Sequence, residues 1–278
     1  MGTVHNVAEA AIEVAGSPVF YRHAPAEGAP ALYLHSVPTS SDDWVGLLAR
    51  TGGLAPDLPG FGRSGKANNL VYSLSAYADF VESFLEAVAV DRVTLVGHGW
   101  GGATALVYAQ RHPDRVSRLA IVDPVPLLDG FHWPRMVSRW RRPGVGELVM
   151  GAVSRRVLAR TLRAGAATPE AWPDSRIDAV WEQFDQGTQR AILRLHRSAD
   201  ADTAALAHAG AGLGALAVPA LVVWGERDPW LAADFADAYG QRLPDATVER
   251  IAGAGHWPWL DAPAVIDRLA AFVTAPPR

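Results

Sequence analysis

LVGHGWGG, residues 95–102, stands between two segments of different character. The apolar run that leads into it, RVTLVG at 92–97, predicts a strand buried on both faces of a sheet. The segment that follows, ATALVYAQRH at 103–112, predicts a helix. This helix should stop near Pro113, because proline disfavours helical backbone at the residue before it. A strand, a glycine-rich turn and a helix in this order are typical of an α/β fold.

The same turn is a candidate catalytic element. In the frame G-x-Nuc-x-G, a nucleophile stands at the centre of a sharp strand-to-helix turn, called the nucleophile elbow. The frame here is Gly97-His98-Gly99-Trp100-Gly101, and its central residue has no side chain. Covalent attack from position 99 is therefore excluded, although the turn itself has the expected setting.

Strand and helix signals alternate along the rest of the chain. Further strands are predicted in the segments PALYLHS (30–36), RLAIVD (118–123), PALVVWG (219–225) and ATVERIAG (246–253), and GLAPDLPGFGRSG (53–65) predicts a short strand edge followed by a Gly/Pro loop. Helices are predicted in SLSAYADFVESFLEAVAV (73–90) and in the closing APAVIDRLAAFVTA. Residues 124–215 read as helices without a convincing strand. We predict a mainly parallel α/β sheet flanked by helices, built from residues 1–123 and 216–278, with 124–215 inserted as a helical lid.

Composition narrows the function classes. The chain of 278 residues is long enough for one large domain, and its net charge of −4 includes no long block of like charge. We therefore expect no nucleic-acid or membrane partner. The absence of cysteine excludes disulfides and thiol catalysis, and no motif suggests a metal or another cofactor. Without a signal-peptide pattern or an apolar run long enough to cross a bilayer, a cytoplasmic protein is the simplest expectation, and the oligomeric state stays open.

Five segments together resemble the α/β-hydrolase superfamily, and the resemblance spans nearly the whole chain. In the order that the family requires, these segments are LHSVPTSSDDW, DLPGFGRSG, VGHGWGG, VVWGERDPW and GAGHWPW. The resemblance implies that His256 is the catalytic histidine and Asp228 the acid that orients it. A catalytic base needs such a partner on its second ring nitrogen. The alternative is a turn aspartate and a core or capping histidine, but both residues follow the last two predicted strands. Asp123, after the strand at 118–123, ranks second as the acid.

His35-Ser36-Val37-Pro38 resembles the HGxP motif of the same family. The resemblance implies that the main-chain N–H groups of Val37 and Trp100 form an oxyanion hole. Ser36 stands where glycine is usual, so it could place a hydroxyl near the site. We do not predict it to be a nucleophile, because no strand-to-helix turn contains it. A simple tight turn is the alternative interpretation of this segment.

PTSSDDW and the tryptophan after the elbow resemble the epoxide hydrolase and haloalkane dehalogenase branch, where the nucleophile is an aspartate. Two departures of this sequence from those families argue against assigning either activity to it. Epoxide hydrolases usually place tyrosines in the lid, whereas residues 124–215 contain none. Haloalkane dehalogenases often bind the halide with the equivalent of Trp100 and an asparagine at the position of Val37. Serine esterases and carbon–carbon hydrolases also tolerate tryptophan after the nucleophile, so the original nucleophile could be aspartate or serine.

Tryptophan clusters in the lid and in the loops near the proposed site. We predict a substrate pocket for a bulky apolar or aromatic compound, lined by His35, Ser36, Trp133, Trp140, Trp172, Trp181, Trp230 and Trp257. Residues 131–163 also carry eight arginines. We interpret these arginines as a solvated helix face rather than as ligands for an anionic substrate.

Three hypotheses about the function remain. The first is an enzyme in which His256 and Asp228 perform acid–base catalysis without a covalent nucleophile, in water addition, ester-like or epoxide hydrolysis, elimination, cyclisation or carbon–carbon cleavage. The second is a hydrolase inactivated by replacement of its nucleophile with Gly99. The third is a ligand-binding protein. The first is favoured narrowly, because glycine relieves the strain of a turn that no longer needs a nucleophile.

Overall fold

The computed structural model describes residues 4–199 and 204–276, which form an α/β structure around one sheet. Eight strands are described: β1 (Ala8–Val14), β2 (Ser17–Ala24), β3 (Ala31–Leu34), β4 (Gly53–Pro56), β5 (Val93–His98), β6 (Val116–Val122), β7 (Ala220–Gly225) and β8 (Ala246–Ile251). Their order in the sheet is β1-β2-β4-β3-β5-β6-β7-β8. The pairs β1/β2 and β2/β4 are antiparallel and all others are parallel. The predicted mainly parallel α/β-hydrolase sheet is therefore confirmed.

Helices cover the sheet and connect its parallel strands. They are α1 (Val45–Thr51), α2 (Leu74–Ala87), α3 (Gly99–Arg111), α4 (Arg135–Trp140), α5 (Val145–Gly151), α6 (Arg155–Gly165), α7 (Asp174–Gln183), α8 (Gln186–Ser198), α9 (Ala204–Ala209), α10 (Asp234–Arg242), α11 (Pro258–Asp261) and α12 (Ala264–Val273). Helix α2 packs on α3, and α1 packs on α12. Strands β3, β5 and β7 are buried along their whole length, as continuous apolar runs between two helical layers must be. Among the described helices, none is long and apolar enough to span a membrane.

The antiparallel hairpin β1–β2 extends the sheet at one edge and was not among the predicted strands. Its first strand, AEAAIEV, alternates between more exposed and more buried positions, as expected for a strand that is covered on one face only. This alternation is the signal in the sequence that indicates the hairpin.

The helices α4 to α9 lie between β6 and β7, within the segment 124–215. In the described part of this segment, residues 124–199 and 204–215, no strand is present. The structure thus has helices where the sequence predicted them. The division of the chain into a core and a separate lid stays a prediction.

The register of the two central strands determines which loops face each other at the carboxyl edge of the sheet. Strands β3 and β5 run parallel as neighbours, and Leu34 pairs with Gly97. Residues at the same distance beyond these two positions therefore leave the sheet side by side. Ser36 and Gly99 are such a pair, although 63 positions separate them in the sequence.

Candidate active site

The elbow begins where β5 ends and α3 starts. Gly99 is the first residue of α3 and has a φ of +51°, a backbone conformation that L-residues adopt only with strain. Close packing explains the glycine two residues later, since a Cβ on Gly101 would lie 2.3 Å from the main-chain oxygen of Leu34. The turn is thus pressed against the end of β3, and its centre faces the loop that follows β3.

His256 and Asp228 form the central polar contact of the site. The Nδ1 of His256 lies 2.6 Å from Oδ2 of Asp228, and both side chains are almost fully buried. The other carboxylate oxygen of Asp228 accepts the main-chain N–H groups of Trp230 (2.8 Å) and Leu231 (3.1 Å). These hydrogen bonds offset the cost of burying a carboxylate. With its Nδ1 proton donated to Asp228, His256 presents the lone pair of Nε2 as a base.

The main chain of His256 is held on both sides. Its N–H donates to the carbonyl oxygen of Gly165, at the end of α6, over 2.7 Å. Its carbonyl oxygen lies 2.8 Å from Nε2 of His98. Burial holds the pKa of His98 well below its usual range, so this imidazole is neutral and donates from Nε2. His98 is a positioning residue that the sequence analysis did not single out.

Asp123 lies next to Asp228 but does not contact His256 through a hydrogen bond. It is fully buried, and its Oδ1 accepts the main-chain N–H of Gly225 over 3.0 Å. One carboxylate oxygen each of Asp123 and Asp228 and one ring nitrogen of His256 all lie within 4.8 Å of one another. Burial, and secondly the negative charge of Asp228, raise the pKa of Asp123 well above its usual range. Of the two acids considered, Asp228 is therefore the one that hydrogen-bonds His256, and the environment of Asp123 favours its protonated form.

The Ser36 side chain occupies the space beside Gly99. A Cβ built on Gly99 would lie 2.1 Å from Ser36 Oγ and 2.7 Å from Ser36 Cβ. The same point is 3.6 Å from Nε2 of His256, so the hydroxyl and the base border the same small volume. Ser36 Oγ also accepts the main-chain N–H of Trp100 over 3.2 Å. One of the two predicted oxyanion donors is thus already hydrogen-bonded within the protein.

An apolar cavity of about 310 Å³ opens onto these residues. Ser36, Val37, Gly99 and His256 lie at its polar end. The tryptophans that line it are Trp100, Trp133, Trp140, Trp230 and Trp257. Further apolar wall residues, which the sequence analysis did not single out, include Met136, Met150, Leu158, Leu162 and Phe184. No arginine is among the described residues that line the cavity, so the arginine-rich helices do not bring a guanidinium to it.

Three predicted pocket residues lie outside the cavity, and this corrects the predicted lining. His35 is fully buried, with Nδ1 2.7 Å from the carbonyl oxygen of Ser36 and Nε2 accepting the N–H of Leu58 over 2.8 Å. Trp172 is buried edge-on against Trp257. Trp181 stacks on Phe184 at a centroid distance of 6.0 Å. Each of these side chains contacts a residue that does line the cavity, namely Ser36, Trp257 and Phe184 respectively.

The family model described as alpha/beta hydrolase fold matches residues 30–263. The chain belongs to the α/β-hydrolase superfamily. It is 30% identical over 276 residues to a haloalkane dehalogenase of Bradyrhizobium diazoefficiens, covering 88% of this chain and 86% of that protein. Among solved structures, the haloalkane dehalogenase DbeA from Bradyrhizobium elkani superimposes with a TM-score of 0.82 and 26% identity, covering 96% of this chain and 98% of that chain. The epoxide hydrolase CorEH shares the fold, with a TM-score of 0.85, 22% identity, and coverage of 98% and 100%. The protein therefore lies in the epoxide hydrolase and dehalogenase-like branch of the superfamily.

In this α/β-hydrolase the indole of Trp100 hydrogen-bonds to a histidine. The indole N–H donates to Nε2 of His196 on α8 over 3.2 Å, and Nδ1 of His196 lies 2.8 Å from the carbonyl oxygen of Ile192. Burial lowers the pKa of His196 to about 4, so the imidazole is neutral and donates from Nδ1. The sequence signal for His196 is its helical spacing from the buried Thr188 and Ile192.

Proposed function

We propose that this α/β-hydrolase cleaves a bulky apolar or aromatic ester-like substrate, with His256 and Asp228 as a general base pair and without a covalent nucleophile. One observation carries the proposal. The Nε2 face of His256, oriented by the hydrogen bond from Nδ1 to Asp228, borders the cavity at the point where position 99 provides no side chain.

The reaction requires one base and one group of oxyanion donors. His256 Nε2 takes a proton from water while the water oxygen bonds to the substrate carbonyl carbon, and the carbonyl π electrons move onto oxygen. The N–H of Val37 faces this oxygen in the proposed hole. When the tetrahedral intermediate collapses, the bond to the leaving alcohol breaks and His256 returns the proton to it. Asp228 stabilises the imidazolium between the two steps.

The site supports ester-like cleavage better than opening of an epoxide or release of a halide. Epoxide opening needs an acid near the epoxide oxygen, and no tyrosine lies among the described residues that line the cavity. Halide release by the familiar route needs a nucleophile at position 99 and a free indole N–H on Trp100. The first is missing, and the second is donated to His196.

The cavity wall defines the substrate class. Its tryptophans, methionines, leucines and Phe184 offer an aromatic and aliphatic surface without a charged group apart from the catalytic end. We expect the helices of segment 124–215 to act as a lid, since α4, α5, α6 and α8 all contribute wall residues. A lid would exclude bulk water from the imidazolium intermediate.

The packing around Gly99 also argues against a simple inactivated variant. An enzyme that recently lost an aspartate or serine at position 99 should keep room for that side chain. Here Ser36 fills the room, with its Oγ 2.1 Å and its Cβ 2.7 Å from the site of the missing Cβ. Residues 36 and 99 are therefore adapted to each other, which favours a lineage that works without the nucleophile.

Phenyl butyrate hydrolysis tests the proposal. We expect turnover by the wild-type protein, a loss of about 10²–10⁴-fold in His256→Ala, and no change in the control His208→Ala, whose histidine is exposed on α9. Rapid acid quenching followed by intact-mass analysis should show no acylated protein during turnover.

Four outcomes would contradict this assignment. Turnover that survives His256→Ala would remove the base, and an acylated protein would establish a covalent route. Saturable binding of phenyl butyrate without turnover, in the wild-type protein and in the double variant Ser36→Gly/Gly99→Ser, would favour the ligand-binding alternative. Turnover by the double variant alone would favour the inactivated hydrolase.

A further inference from the structure

The Ser36 hydroxyl is held rigidly at the polar end of the cavity. The carbonyl oxygen of Ser36 lies 2.7 Å from Nδ1 of His35, which donates because its Nε2 accepts from Leu58. The same oxygen accepts the hydroxyl of Thr39 over 3.1 Å. These contacts fix the main chain of Ser36, and the hydrogen bond from the N–H of Trp100 holds its Oγ. A group fixed in this way is preorganised for interaction with a substrate.

The Ser36 hydroxyl still has a hydrogen atom to donate. A serine hydroxyl has one donor and two acceptor positions. One acceptor position is used by the main-chain N–H of Trp100, over 3.2 Å. The donor remains, and Ser36 lines the cavity together with Gly99 and His256. Accepting the N–H of Trp100 also polarises the hydroxyl, which makes it a stronger donor.

We infer that Ser36 donates its hydroxyl hydrogen to the substrate oxygen on which negative charge develops, in place of the main-chain N–H of Trp100. The N–H of Trp100 acts through the hydroxyl instead of contacting the substrate. Ser36 thus replaces glycine in the family motif and supplies, on a side chain, a donor that the motif normally provides from the main chain. This inference rests on the proposed function, because it assigns a donor to the same site.

A donor role fits the geometry better than a nucleophilic role. Ser36 Oγ accepts the Trp100 N–H, and the part of the chain that the structure describes contains no hydrogen bond between this hydroxyl and His256. The base is therefore left to act on water. Ser36 also follows a strand and enters a loop, and it lies at no strand-to-helix turn that would aim it at a carbonyl carbon.

Binding of phenylacetate tests the inference without any turnover. This ligand combines an aromatic ring, suited to the cavity, with a carboxylate that imitates the oxyanion. Isothermal titration calorimetry with Ser36→Ala should show binding about ten- to hundred-fold weaker, because a hydrogen bond to a charged oxygen is lost. The methyl group left by this substitution still blocks the Trp100 N–H. Ser36→Gly removes that methyl group and should recover part of the affinity.

Two controls make the comparison specific. Phenylethanol, which has the ring but no anion, should bind to the wild-type and Ser36→Ala proteins with less than two-fold difference. Ser41→Ala removes a nearby buried hydroxyl. Because Ser41 does not line the cavity, this variant should leave phenylacetate binding unchanged.

The outcomes separate this inference from the proposed function. Equal phenylacetate affinity in the wild-type and Ser36→Ala proteins would overturn the donor role. Binding of phenylethanol but not phenylacetate by the wild-type protein would overturn it too, while leaving the apolar pocket intact. A covalent adduct on Ser36 after treatment with phenylmethylsulfonyl fluoride would identify a nucleophile and overturn both proposals.

Discussion

Replacing Gly99 with alanine measures how closely positions 36 and 99 are coupled. The φ of +51° strains any L-residue, at about 1–2 kcal/mol. The added Cβ would lie 2.1 Å from Ser36 Oγ and 2.7 Å from Ser36 Cβ, so rotation of the hydroxyl alone cannot relieve the contact. Overpacking of this kind costs about 1–3 kcal/mol. We expect Gly99→Ala to lower the free energy of unfolding by about 2–5 kcal/mol, the sum of the two effects.

The matched variants separate these two contributions. Ser36→Gly in the Gly99→Ala background removes the colliding atoms and should recover the packing part, about 1–3 kcal/mol. Gly130→Ala is the control for backbone strain, because Gly130 has a φ of +84° and a Cβ there would meet no atom within 4 Å. It should lower the free energy of unfolding by only about 1–2 kcal/mol.

Urea denaturation, followed by tryptophan fluorescence and far-ultraviolet circular dichroism, provides the free energies. The four proteins of the cycle are the wild type, the two single variants and the double variant. If Gly99→Ala destabilises no more than Gly130→Ala, the packing argument is refuted. The same conclusion follows if Ser36→Gly destabilises equally with glycine or alanine at position 99, since the two positions would then be independent.

Three further predictions concern Asp228 and His196. Asp228→Asn should reduce turnover of phenyl butyrate by about 10²–10⁴-fold, because Asp228 orients His256. Asp123→Asn should stay within a few-fold of wild type, and equal losses in the two variants would contradict the choice of Asp228 as the orienting acid. His196→Leu should free the indole N–H of Trp100 and create bromide binding, detected by quenching of tryptophan fluorescence; quenching with the same affinity in the wild-type protein would contradict this. Because the folded-state pKa of His196, about 4, lies below the usual value of 6.5, the folded state excludes a proton that the unfolded state binds. Wild-type stability should therefore fall as pH decreases from about 6.5 towards 4, and His196→Gln should show a shallower decrease in urea denaturation at a series of pH values.

The sheet was predictable because its central strands carry their signal locally. Strands β3, β5, β6 and β7 are short apolar runs that both helical layers bury, and such runs are recognisable without knowledge of their neighbours. The hairpin β1–β2 was missed, although the residues of β1 alternate. Its strands are covered on one face only, so they contain no continuous apolar run.

Much of the catalytic end was also predictable, because the carboxyl ends of parallel strands meet at one edge. His256 follows β8 and Asp228 follows β7, and the hydrogen bond of 2.6 Å joins two residues that the sequence analysis had paired. The cavity wall was less predictable. Trp172 and Trp181 belong to the segment 124–215, which contributes residues to the cavity wall, but the packing of short helices decided which aromatic faces reached the cavity.

The sequence by itself determined that position 99 provides no nucleophile and that a histidine–aspartate pair follows the last two strands. Only the tertiary structure decided what takes the place of the missing side chain. The parallel register of Leu34 with Gly97 brings Ser36 beside Gly99, across 63 positions of sequence. The Ser36 hydroxyl then occupies the vacant space and accepts the N–H of Trp100. Because that contact arises from the pairing of two strands, no local pattern in either segment could have shown it.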